Sequence, residues 1–131
     1  MRMSFSDELY NDLREVHDSV LRQLGDAARY ISRKGLMRRI VSHPAKCFYV
    51  TAEEALKKYA KYKQTGELRC RNKECREKYL EVFSRFEQKM QEYYDFRKLD
   101  VMYMVVSSPA PKFYIKHETA RIILNRNIKK K

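Results

Sequence analysis

Met37–Ala55 reads MRRIVSHPAKCFYVTAEEA, and Met102–Ala120 reads MYMVVSSPAPKFYIKHETA. At an offset of 65, nine of these nineteen positions are identical without a gap, and Ile40/Val105 and Val50/Ile115 are near matches. Pro44, Phe48, Tyr49 and Glu53 recur as Pro109, Phe113, Tyr114 and Glu118. Self-similarity at a fixed period marks a repeat architecture. The sequence therefore reads as a tandem duplication, with copy one at 1–65 and copy two at 66–131.

The same order of parts extends on both sides. Before the motif, Leu9, Leu13, Val16, Val20, Leu24, Ala27 or Ala28, and Ile31 step by three and four residues, as do Tyr79, Val82 or Phe83, Phe86, Met90 and Tyr93 or Tyr94. That spacing predicts one long amphipathic helix per copy. Gly35 is expected to interrupt the first, with a matching break near Leu99-Asp100. A short helical piece carries Met37, Ile40 and Val41, or Met102, Val105 and Val106. It stops before Pro44 or Pro109, because the residue before proline disfavours the α region.

The run Pro-Ala-x-x-Phe-Tyr-(Val/Ile) is aromatic and β-branched, which suits a short extended strand. A last helix follows in each copy. Thr51 and Glu54 form a capping box for the first, Lys116 and Thr119 stand at those places in the second, and Gly66 suits a helix end. A lone three-residue strand leaves backbone groups unpaired. Pairing Phe48-Tyr49-Val50 with Phe113-Tyr114-Ile115 as a two-stranded ribbon would satisfy them. The expected fold is all-α, mainly a helical bundle, in a single pseudo-twofold domain over 1–131. The alternative pairs each strand with its counterpart in another chain, giving a dimer.

Composition agrees with helix. Gly and Pro number three each in 131 residues, and charged residues make up 35%, against a turn-rich β fold. No stretch is long and apolar enough to span a bilayer. The first residues turn acidic without an apolar signal region, and the last ones carry no anchor motif. With three cysteines, an odd number, reduced thiols in a cytoplasmic protein are the expectation.

The net charge is +12. Copy one holds 13 basic and 8 acidic residues, and copy two 16 and 9. The excess is clustered. No acidic residue lies between Ala27 and Ala52, or from Thr119 onward. Clustered positive charge captures polyanions. The candidate phosphate contacts are Arg29, Arg33, Lys34, Arg38, Arg39, Lys57, Lys61, Arg121, Arg126 and Lys129. No helix-turn-helix signature supports base-specific reading.

Catalysis and cofactors find little footing. The chain lacks a Gly-rich phosphate loop, a nucleophile elbow and a recognisable triad. Glu53 and Glu118 sit where a first helical turn favours negative charge, which accounts for both without catalysis. His43, Cys47, Cys70 and Cys75 make a weak zinc set. The Cys-x4-Cys spacing is loose, and copy two has Ser108 and Lys112 in place of His43 and Cys47. No cofactor and no small-molecule substrate are implied. Tyr59 and Tyr62 interleave with Lys57, Lys58, Lys61 and Lys63, a pattern of base stacking or of rings sealing a core edge. The sequence thus points to a non-catalytic nucleic-acid-binding accessory factor for DNA or RNA. The alternative is a protein-interaction or assembly module, with a protein partner or self-association.

Overall fold

The computed structural model describes residues 5–129, with side chains through Asn125. The described chain is all-α. Helix α1 spans Phe5–Leu24, and a 3₁₀ turn, Gly25–Tyr30, leads to α2 (Arg33–Val41). Then follow α3 (Ala52–Thr65), α4 (Lys73–Glu92), α5 (Lys98–Val106) and α6 (His117–Lys129). No described helix is long and apolar enough to cross a membrane.

The helices gather into two compact units whose borders cross the sequence repeat. The central unit is Lys46–Ala110; the terminal unit takes the chain up to Ala45 and again from Pro111. Each unit therefore holds the first two helices of one repeat copy and the last helix of the other. In the terminal unit α1, α2 and α6 pack on one another, burying Leu13, Val16, Met37, Ile40, Phe113 and Ala120. In the central unit α5 packs against α3 and α4, burying Phe48, Ala55, Val82, Phe86, Met102 and Val105.

Local geometry recurs at the offset of 65. Helices α2 and α5 are nine residues each, and α3 and α6 begin at Ala52 and His117. The last residue of α2 is Val41, and its carbonyl accepts from the Phe113 N–H at 3.1 Å within the terminal unit. In the central unit the Phe48 N–H donates to the carbonyl of Val106, the last residue of α5, also at 3.1 Å. Each bond satisfies a carbonyl that a helix C-terminus leaves orphaned. The adjoining Tyr49 and Tyr114 take φ of 58° and 56°.

Those angles overturn the expected ribbon. Residues 48–50 and 113–115 are not strands, and no sheet is present among the described residues. A strand needs φ near −140°, whereas a left-handed tyrosine bends the chain out of any ladder. The unpaired-backbone problem is met by the helix-end carbonyls of Val41 and Val106 instead. The helix breaks also differ from expectation. Gly35 lies inside α2, and its N–H donates to the capping Ser32 hydroxyl at 3.0 Å. The earlier turn Gly25–Tyr30 makes the break, with Gly25 at φ 54°. In the second half α4 ends at Glu92 and α5 starts at Lys98, ahead of Leu99-Asp100. Thr51 does cap α3, accepting from the Glu54 N–H at 3.1 Å, and Gly66 ends it in the left-handed conformation.

Candidate nucleic-acid interface

The two acid-free stretches lie far apart along the chain, yet the first as far as Ala45 and the whole of the second belong to the terminal unit. One supplies the turn before α2 and α2 itself, with Arg29, Arg33, Lys34, Arg38 and Arg39, all exposed. The other supplies α6, which packs on α2 and carries exposed Arg121. The side chains of Arg126 and Lys129 lie outside the described residues. Counted over the sequence, residues 1–45 and 111–131 hold 15 basic and 7 acidic residues, a formal +8. Residues 46–110 hold 14 and 10, a formal +4.

Among the described residues, Arg29, Arg33, Lys34, Arg38, Arg39 and Arg121 of the terminal unit, and Lys57 and Lys61 of the central unit, make no ion pair at contact distance, while Arg14 of the terminal unit meets Asp18 at 3.8 Å. Several other cations of the central unit are engaged. Lys63 meets Glu87 at 3.1 Å, Arg97 meets Asp100 at 2.8 Å, and Arg85 meets Glu81 at 2.8 Å. Lys58 and Arg76 donate to the carbonyls of Arg69 and Leu68. Lys57 and Lys61 are exposed on α3, in the other unit from α2 and α6. Arg38 and Arg39, in the last turn of α2, also complement the negative end of its dipole.

The interleaved tyrosines serve packing. Tyr59 meets Phe83 and Phe86 edge-on, at centroid distances of 5.3 and 4.9 Å, and Tyr62 lies 5.4 Å from Phe83. The Tyr59 hydroxyl donates to Glu87 at 2.9 Å. Burial and that carboxylate push the phenol up to about 12. The same hydrogen bond, with one from Lys63, holds the Glu87 carboxyl below its ordinary value. These rings seal the α3–α4 contact, which removes them as stacking platforms.

Of the repeated motif, Phe48 and Phe113 are core residues, and Tyr114 is buried at 9% exposure. Pro44 and Pro109 are exposed at the turns after α2 and α5. Glu53 and Glu118 occupy the first turns of α3 and α6, in different units. Glu118 is held below its ordinary value, chiefly by a hydrogen bond from its own backbone and then by His117, Lys116 and Lys34. No group of three or more His, Cys, Asp or Glu among the described residues is placed to hold a metal. Cys70 and Cys75 are hydrogen-bonded neighbours, and burial followed by that contact pushes the Cys70 thiol up to about 11. The three cysteines form no disulfide.

Sequence reading missed that α6 completes the unit containing α2. An offset of 65 is equally compatible with a last helix packed on its own copy or on the other. The class that fold and site define is a small all-α protein of two three-helix units, one of them strongly basic. Compared with family profiles, curated proteins and solved structures, the chain matches none.

Proposed function

We propose that this is a non-catalytic, cytoplasmic nucleic-acid-binding accessory factor that holds DNA or RNA through phosphate contacts from the α2–α6 face. The observation that carries this reading is that Arg29, Arg33, Lys34, Arg38, Arg39 and Arg121, drawn from two acid-free stretches far apart in the chain, are all exposed within one unit in which α6 packs on α2. Phosphate contacts need cations in register with a backbone and no further chemistry. The recurrence of helix ends, left-handed tyrosines and capping bonds at one offset supports a 65-residue tandem duplication as the origin of the chain.

A salt titration of binding to duplex and single-stranded DNA and RNA tests the function. Phosphate-driven affinity should fall steeply between roughly 50 and 200 mM salt. Absent or salt-insensitive binding would overturn the proposal. A second reading, self-association, is favoured by one observation. Leu99 and Tyr103 lie one turn apart on α5, at 42% and 62% exposure, beside exposed Phe96 and Tyr94. Sedimentation across a concentration range tests it, with a dimer that Tyr103→Lys disperses as the supporting result and a monomer throughout as the overturning one.

A further inference from the structure

In the central unit, Arg85 fills the space between α4 and the turn after α5. Its Nη1 donates to the Pro109 carbonyl at 2.8 Å and lies 3.5 Å from the Ser108 hydroxyl. Its Nε bonds Glu81, and its guanidinium stands 5.2 Å from the Phe48 ring centre. The residues 65 and 66 places before Arg85 are Val20 and Ser19, both too short to reach across. The Pro44 carbonyl, counterpart of that of Pro109, is engaged by His43 Nδ1 at 3.1 Å.

The corresponding place in the terminal unit is an open groove of about 590 Å³, within the roughly 300–1,000 Å³ of small-ligand clefts. Val20, Leu24 and Pro44 form an apolar wall, and Arg38, Arg39 and His43 face the same space. Where the central unit inserts a cation of its own, the terminal unit leaves room and surrounds it with cations. We infer that this groove takes one nucleotide of a single-stranded nucleic acid, with its phosphate on Arg38 and Arg39 and its base against Val20, Leu24 and Pro44.

An apolar wall beside guanidinium groups suits an unstacked base. Single strands offer base faces to such surfaces, and arginine planes stack on them. A duplex keeps its base faces covered and presents phosphates alone, so it engages the α2–α6 face without using the groove. The inference rests on the phosphate-contact reading and adds strand selectivity to it.

Fluorescence anisotropy with the full chain, using a labelled single strand and a duplex of equal length at fixed salt, tests it. One seated base is worth a factor of about five or more, so the single strand should bind tighter by that margin. Gln23 is exposed at the groove. Ser42, also exposed at the groove, allows Ser42→Leu, which fills the space without adding a charge or a stacking ring and should erase the margin while leaving duplex binding unchanged. Gln23→Leu, from the α1 side, provides a second non-aromatic filler should the first disturb folding by circular dichroism. Equal binding of both polymers, or a margin that survives the folded filler, overturns the groove and leaves the phosphate-contact reading standing. Failure of the parent protein to bind either polymer overturns both.

Discussion

Helices α2 and α5 occupy the same place in their units and present opposite surfaces. Both are nine residues long, and both bury a methionine and a β-branched residue, Met37 with Ile40 and Met102 with Val105. At the outward positions α2 carries Lys34, Arg38 and Arg39, where α5 carries Leu99, Tyr103 and Met104. Buried positions answer to packing, in which a lost methylene is felt. Exposed positions answer to whatever the surface meets. The likeness of the two helices therefore speaks for a shared fold, and their difference speaks for unlike roles. In the terminal unit the face is basic and a groove is left open; in the central unit it is aromatic and Arg85 closes the groove.

The strongest way to break this contrast is to neutralise the basic face. Arg38→Gln with Arg39→Gln should lower the log–log salt slope of polyanion binding by about 2, one for each lost phosphate contact. Lys57→Gln with Lys61→Gln on α3 should move it by less. Equal effects from the two pairs, in the same titration, would dissolve the distinction between the units.

Removing the plug comes next. Arg85→Ala returns the Pro109 carbonyl to water, unpairs Glu81 and uncovers one side of the Phe48 ring, and with both bonds at the surface the loss should be about 1 kcal/mol. Urea denaturation should show that loss, and an unchanged midpoint would mean that Arg85 is not a structural plug.

The caps offer a comparison of similar size. Thr51→Ala should cost about 1 kcal/mol, because α3 has a hydroxyl on the Glu54 N–H. Lys116 stands at the matching place before α6. Lys116→Thr should stabilise the chain by up to about that amount, again read from the denaturation midpoint.

The smallest effect is the pH dependence of the Tyr59–Glu87–Lys63 cluster in the central unit. Glu87 is depressed below its ordinary 4.5 in the folded chain. Its contribution is present above that value and is lost as pH falls through the lower folded one. Tyr59 is raised from 10.0 to about 12, so its contribution holds below 10 and fades as pH rises between the two. Glu87→Gln should flatten the acid limb of stability against pH, and absorbance titration should find one late-ionising tyrosine fewer in Tyr59→Phe.

Much of the architecture was legible in the chain. Steps of three and four residues placed the long helices, Thr51 and Gly66 marked the ends of α3, and the repeated motif aligned the two halves. The strand was misread because Phe-Tyr-Val suits a pleated ladder by composition, and nothing local announces that Tyr49 and Tyr114 take positive φ. The basic residues were visible, but their grouping was not. Arg121 and Arg38 share a unit only because α6 packs on α2.

By itself the sequence determined the helices, the offset of 65 and the uneven charge, since helical period and caps act within a few residues. Tertiary structure alone decided the rest: which copy each last helix joins, where the orphan carbonyls of Val41 and Val106 find donors, and that Arg85 fills one groove while its counterpart stays open. Those outcomes depend on contacts between residues far apart in the chain. A periodic pattern shows that a helix has an apolar face, but not which of two similar partners will cover it.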